Sequence, residues 1–173
     1  HGNHRTYYIR VGSQSREASP EELERLFQQR GAFRLEIRPV SGSSLSDLDR
    51  RRLRDYFVHE RNQDVPQDED ADGWRTLLGN TAIMMQEEDR IPATVAGVLL
   101  FGVTPNRFLP QAGIDAVAYP GREKDYAARE RTALRGPMTP LVQPDSSGGL
   151  SVSENGLVEQ ALEFIRRNTE VTS

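Results

Sequence analysis

The chain has 173 residues, a formal charge of −4 and no cysteine. This length suits one compact domain, or one domain with part of a second, and it is sufficient for folding without a disulfide or a metal. The absence of cysteine excludes a disulfide framework, a thiolate metal site and a cysteine nucleophile, and the apolar runs are too short for a membrane-spanning helix.

The basic residues are unusual, because all 22 except Lys124 are arginine. Arginine is the better bidentate ligand for phosphate, so this bias is consistent with nucleic-acid binding. GC-rich codon usage produces the same bias without a functional cause. Since the chain as a whole is acidic, binding to nucleic acid requires a local basic patch.

The first predicted elements are a strand and a capped helix. Residues 4–12 alternate apolar and polar side chains, which predicts a strand. The Ser-Pro-Glu-Glu run at 19–22 supplies an N-cap and a capping box for a helix that ends at Gly31. Residues 33–40 alternate again around a proline, which predicts a short edge strand or an extended segment.

Helices are predicted in the middle of the chain. Residues 45–60 and 74–86 carry apolar side chains at helical spacing, with an acidic loop between them. Thr94 is placed to cap the apolar run 95–101, whose length suits either a helix or a buried strand.

The last third of the chain is predicted to contain one strand and one helix. Residues 112–119 alternate as a strand, residues 120–135 are polar, and residues 144–149 predict a flexible loop. The final helix is predicted from about Ser153. Together these patterns predict an α+β fold with a short mixed sheet and four or five packed helices.

Two stretches resemble ligand-binding loops only in part. The acidic run 68–73 matches the first half of a calcium loop, but Gly79 stands where the bidentate glutamate is needed. It is predicted to be a solvated loop in which Asp72 caps the next helix. Residues 97–104 have the glycine and threonine spacing of a phosphate-binding loop, but Val103 replaces its lysine.

No catalytic constellation is predicted. The three histidines are His1, His4 and His59, and the His59 segment lacks the second histidine of a zinc-protease motif. With no cysteine, few ligands remain for zinc. The sequence therefore predicts no catalytic residue, no metal site and no cofactor in this chain.

Two clusters of arginine are candidates for phosphate contacts. Residues 49–54 are the denser cluster, but the aspartates at 47, 49 and 55 are spaced to pair with them, so a solvated or salt-bridged helix face is favoured. The second cluster lies around the first strand, where an aromatic–basic mixture suits nucleic acid and an ordinary strand with one exposed face fits equally well. Its members are Arg5, Arg10, Arg16, Tyr7 and Tyr8.

Several stretches, in this order and spacing, resemble a bacterial family of transcriptional regulators with a Schlafen AlbA-type domain, also described as RecG-like or divergent-AAA ATP-binding proteins. They are Tyr7–Ser13, Arg16–Ser19, Pro92–Gly102, Pro105–Ala112, and Arg135–Pro137 leading to Glu159–Ile165. The sequence departs from the family at Val103, where a lysine is frequent, and at residues 144–155, which look like an insertion.

The resemblance implies a division of the chain. Residues 1–40 would be the C-terminal part of an AlbA-like DNA-binding domain, and residues 41–173 a middle α+β domain that precedes an ATP-binding domain absent from this sequence. The nuclease carboxylates of Schlafen relatives would lie upstream, so the resemblance implies no nuclease role here.

The predicted function is therefore that of a non-catalytic, cytoplasmic fragment of a bacterial DNA-binding transcriptional regulator. Its partner would be DNA, with RNA as the alternative, through the full-length protein. A second reading is part of an ATP-dependent or Schlafen-like nucleic-acid-processing enzyme whose catalytic residues lie outside this chain. A third is a dimerisation module, in which the first strand pairs with its copy to form a homodimer.

Overall fold

The computed structural model describes residues 8–11, 14–23, 34–120 and 127–169. The chain divides into two compact units, His1–Leu35 and Glu36–Ser173. The predicted α+β class is confirmed. The described strands form three separate two-stranded antiparallel pairs and not one sheet.

The first unit contains a β-hairpin and the start of a helix. Strand β1 (Tyr8–Val11) pairs with β2 (Gln14–Glu17). Strand β2 was not predicted, because its sequence Gln-Ser-Arg-Glu contains no β-branched or aromatic residue and all four residues are exposed. Residues 20–23 are helical.

The predicted capping box at this helix start is confirmed. The Ser19 N–H donates to the Glu22 carboxylate at 3.0 Å, and the Glu22 N–H donates to the Ser19 hydroxyl at 3.2 Å. Two backbone donors that the helix itself cannot use are satisfied in this way. The remaining residues of the predicted helix lie outside the described ranges, except for Leu23.

The second unit contains four α-helices and two hairpins in its described residues. The helices are α1 (Arg50–Asp55), which continues into a π-helical turn at Tyr56–Glu60, α2 (Ala71–Asn80), α3 (Val95–Phe101) and α4 (Leu157–Thr169). The hairpins are β3 (Ile114–Ala118) with β4 (Glu130–Leu134), and β5 (Leu141–Pro144) with β6 (Leu150–Glu154).

The main core lies between α1 with its π turn, α2 and α3. Its largest fully buried side chains include Leu53, Phe57, Trp74, Leu78 and Phe101. Each such side chain contributes roughly 1.5–3 kcal/mol of transfer free energy. The apolar helical spacing therefore predicted the inward faces of α1 and α2 correctly. The predicted bounds, 45–60 and 74–86, were wrong: a 3-10 turn at Leu45–Asp47 precedes α1, and α2 ends at Asn80.

Helix α3 is the central element of this core. Thr94 is fully buried, accepts from the Gly97 N–H at 3.1 Å and donates to the Ala82 carbonyl at 2.8 Å. The predicted cap is thus confirmed. Of the two structures predicted for the apolar run that follows it, a helix or a buried strand, the helix is correct. Gly97 is required here, because a Cβ atom would lie 2.2 Å from the carbonyl oxygen of Ile83.

A smaller cluster joins α4 to the β3–β4 hairpin. Leu134, Leu157 and Phe164 are buried together. At its edge, Arg167 and Asn168 donate to the Glu130 carboxylate at 2.7 and 2.6 Å. The hydrogen bond from Arg167 is the main reason why the pKa of Glu130 falls to about 2.

Several predicted boundaries differ from the structure. Residues 33–40, predicted as a short edge strand or an extended segment, are over their described part a 3-10 turn at Leu35–Ile37 followed by one isolated bridge at Pro39. Pro39 cannot donate to a longer ladder. The predicted loop at 144–149 is the turn of a hairpin, closed by backbone N–H groups that donate to Asp145. Strand β6 continues through Glu154, so α4 begins after the predicted Ser153.

Candidate nucleic-acid interface

The β1–β2 hairpin has two faces, because side chains alternate along a strand and directly opposite residues share a face. Tyr8 and Arg10 lie on one face with their cross-strand partners Glu17 and Ser15. Tyr8 is 69% exposed, and Arg10 is exposed as well. The structure therefore brings an aromatic ring and a guanidinium group to the same open surface.

Arg16 lies on the other face, opposite Ile9. Its guanidinium donates to both carboxylate oxygens of Glu22, at 2.9 and 2.6 Å. This pairing, followed by the hydrogen bond from the Ser19 N–H, lowers the pKa of Glu22 to about 2. Because a bidentate pair neutralises its charge, Arg16 is less available to a phosphate than Arg10.

The other residues of the predicted patch, Arg5 and Tyr7, lie outside the described residues. Glu17 is a residue that sequence reasoning missed. Its exposed carboxylate shares the face of Tyr8 and Arg10 and repels an approaching phosphate. Only the strand register reveals this, and no sequence pattern predicts that register.

The dense cluster at 50–54 has a different environment, because carboxylates surround it. Arg51 donates to Asp49 at 2.9 Å, and Arg54 donates to Asp68 at 2.8 Å. Arg50 donates to the backbone carbonyl of Asp68. The predicted salt-bridged face is confirmed, but of the three expected partners only Asp49 pairs with these arginines. Asp47 pairs with Arg107, Asp55 accepts from the Val142 N–H, and Asp68 was not among the expected partners.

Arg52 is the centre of this ionic cluster and is only 4% exposed. Its guanidinium donates to Asp49 at 2.6 Å, to Glu154 at 2.7 Å and to the backbone carbonyl of Thr139 at 2.9 Å. Hydrogen bonding to Arg52 lowers the pKa of Glu154. Arg52 therefore fastens the β5–β6 hairpin to α1, which is a structural role.

The acidic stretch 68–73 is used for capping and ion pairs. Asp70, and not the predicted Asp72, caps α2 by accepting from the Gly73 N–H at 2.8 Å. Asp72 pairs with Arg75 at 2.8 Å. In the part of the chain that the structure describes, no group of three or more histidine, aspartate and glutamate residues is placed to hold a metal ion.

The glycine-rich stretch 97–104 does not form a phosphate loop. Such a loop exposes backbone N–H groups before a helix, whereas here the stretch begins inside α3 and both Gly97 and Gly102 are buried. The backbone N–H groups of these two residues donate to the Thr94 hydroxyl and the Val98 carbonyl.

Two cavities flank Tyr56. One, of about 180 Å³, is lined by residues that include His59, Asp55 and Val142. The Asp55 carboxylate is engaged by the Val142 N–H at 3.0 Å. The other, of about 360 Å³, has Arg61 in its wall. Among the described residues that line these two cavities, no nucleophilic side chain is hydrogen-bonded to a basic one.

Comparisons with protein-family models, with curated proteins and with solved structures gave no match to this chain. The described residues contain no helix that combines the length and the apolar character needed to cross a membrane. The resemblance to the Schlafen AlbA-type regulators therefore depends on the sequence stretches alone and stays a prediction.

Proposed function

We propose that this chain is a non-catalytic part of a bacterial DNA-binding regulator, and that the β1–β2 hairpin contacts the phosphate backbone. The observation that carries the proposal is the shared, exposed face of Tyr8 and Arg10. A guanidinium group supplies a phosphate contact and an aromatic ring supplies a stacking surface, the two parts of sequence-tolerant nucleic-acid binding.

The distribution of charge supports the same assignment. The first unit, residues 1–35, has six arginines and four glutamates, a formal charge of +2. The second unit, residues 36–173, has 16 basic and 22 acidic residues, a charge of −6. A polyanion is therefore attracted to the first unit and repelled by the second.

The second unit would act as a scaffold. Its densest arginine cluster is bound by carboxylates, and Arg52 joins α1 to a hairpin about a hundred residues later in the chain. The family resemblance supports this division, since it places the hairpin at the end of a DNA-binding domain and the second unit in a middle domain.

Fluorescence anisotropy with a labelled DNA duplex at low salt tests the proposal on the whole chain. We expect Arg10→Glu to abolish measurable binding, because it replaces the phosphate contact by a repulsive charge. Glu17→Gln should tighten binding, because it removes the acidic group from the same face. Arg90→Glu is the matched control, since it makes the same charge change at an exposed turn of the second unit.

Equal losses of DNA affinity in Arg10→Glu and Arg90→Glu would show that the effect comes from net charge alone. That result would contradict a binding site on the hairpin. An absence of binding by the unmodified chain at low salt would also overturn the proposal. A single-stranded RNA of equal length, measured alongside, separates RNA from DNA as the preferred partner.

A further inference from the structure

Helix α4 has an apolar surface wider than the face that packs on β3–β4. Leu157 and Phe164 are buried in that contact. Three further aliphatic side chains on the same helix remain open: Val158 is 46% exposed, Leu162 is 52% exposed and Ile165 is 54% exposed. Half of each side chain therefore remains in water.

These three residues form one stripe. Their spacing of i, i+4 and i+7 places them in a row along two turns, next to the buried face. Isolated exposed aliphatic residues are ordinary on protein surfaces, whereas a contiguous row of them is typical of an interaction surface.

Two residues of opposite charge lie beside the stripe. Glu159 and Arg166 are two turns apart and follow Val158 and Ile165 directly, so both lie along the same border of the stripe. Arg166 is exposed, whereas its neighbour Arg167 pairs with Glu130. Glu159 uses one oxygen to accept from the Gly156 N–H at 3.0 Å.

We propose that the stripe is the contact surface between two copies of this chain, paired antiparallel through α4. In a two-fold arrangement centred near Leu162, Val158 of one copy packs on Ile165 of the other. The border residues then meet as two Glu159–Arg166 pairs. In a parallel two-fold pair the same border of the two copies would lie on opposite sides of the contact, so Glu159 and Arg166 would not meet. The charge pattern therefore favours the antiparallel pair of identical chains.

The proposed contact between the two copies involves three aliphatic side chains of each and is therefore small, so we expect weak self-association. Interfaces below about 1,200 Å² belong to weak and transient complexes. The pair should therefore dissociate on dilution, with monomer and dimer in rapid exchange. The contact also differs from pairing through the first strand, because it uses only the second unit.

Sedimentation velocity over a wide dilution series tests the proposal on the whole chain. We expect reversible self-association, and Leu162→Lys should weaken it by about 30-fold or more, because each substitution counts twice at a two-fold axis and brings two ammonium groups together. Val103→Lys is the matched control, since Val103 is a similarly exposed aliphatic residue, at 58%, outside α4.

A charge exchange tests the orientation. Arg166→Glu alone and Glu159→Arg alone should each weaken self-association, because each sets like charges against one another. A mixture of the two variants should associate at least as well as the unmodified chain. In a dimer of one variant with the other, both border contacts join an arginine to a glutamate, whereas each variant with its own copy sets like charges against one another. Circular dichroism of each variant checks that α4 remains folded.

A monomer at every concentration would overturn the proposal, as would an equal dissociation constant for Leu162→Lys and the unmodified chain. Failure of the mixed variants to associate would overturn the antiparallel arrangement. None of these results depends on DNA, so the outcome is separate from that of the duplex-binding experiment.

Discussion

The two arginine-rich segments of this protein differ in what their guanidinium groups contact. In α1, four arginines in five residues are held by Asp49, Asp68 and Glu154. In the β1–β2 hairpin, Arg16 is paired but Arg10 is open beside Tyr8. Among the described residues, the segment with more arginine therefore offers less free positive charge.

The difference shows that local arginine density is a poor guide to how much positive charge is left unpaired by carboxylates. A guanidinium group bound by a carboxylate must break that pair before it can bind a phosphate. The α1 arginines contribute to stability instead, and the effect of each depends on burial. Four substitutions test this contrast, and they are given in order of decreasing effect.

Arg52→Ala should lower the free energy of unfolding by about 3 kcal/mol. The substitution removes three hydrogen bonds and leaves the buried Asp49 carboxylate with fewer partners. Urea denaturation followed by Trp74 fluorescence measures the change, since Trp74 is fully buried in the main core. An unchanged midpoint would show that Arg52 does not fasten the β5–β6 hairpin to α1.

Arg10→Gln should weaken binding to a DNA duplex by roughly tenfold and reduce the slope of log K against log salt by about 0.9, the value for one lost phosphate contact. The amide leaves a polar but shorter side chain and removes the positive charge. Anisotropy titrations at several salt concentrations give both quantities. A weaker affinity with an unchanged slope would contradict a phosphate contact at Arg10.

The fold was predictable where one physical signal acted alone. Apolar spacing located α1, α2 and α4, and the side-chain chemistry of Thr94 and of Ser19 with Glu22 located two helix starts. These signals are local, because the partners lie within one turn of the helix. Strand β2 had no comparable pattern, since its polar, exposed residues acquire their structure from pairing. Strand β6 does alternate apolar and polar residues, as Leu-Ser-Val-Ser-Glu, but the prediction of a helix from Ser153 overlooked this signal.

The contacts that define the sites could not be predicted from the sequence, for a related reason. Arg52 and Glu154 are about a hundred residues apart, and no local spacing connects them. The face shared by Arg10 and Glu17 depends on a register that a shift of one residue would reverse. Residue types suggested the chemistry, and only tertiary structure decided which groups were paired.

Arg16→Gln should affect DNA binding less than Arg10→Gln, at most about threefold, because the Arg16 charge is already shared with a carboxylate. Its main effect should be on Glu22. Loss of the guanidinium should raise the pKa of Glu22 from about 2 towards its ordinary value of 4.5, while the Ser19 N–H keeps it slightly lower. Carboxyl chemical shifts in an NMR titration measure this pKa.

The pH dependence of this pair has a definite sign. Because folding lowers the pKa of Glu22 from 4.5 to about 2, the pair stabilises the helix start above pH 4.5 and this contribution is lost as the pH falls through 2. In Arg16→Gln the folded and unfolded pKa values of Glu22 should nearly coincide, so most of this pH dependence should disappear. Identical titration curves for the two proteins would show that the pair does not persist in solution.

Arg54→Gln should have the smallest effect, at most about 0.5 kcal/mol on the free energy of unfolding. Its pair with Asp68 has a similar geometry to that of Arg52, at 2.8 Å, but both side chains are substantially exposed. Water and salt screen the charges, and the gain is offset by the entropy lost in ordering two long side chains. Urea denaturation at low and high salt, beside Arg52→Ala, gives the comparison. If Arg54→Gln proved as destabilising as Arg52→Ala, the effect of an arginine in α1 would follow from its ion pair alone and not from its burial.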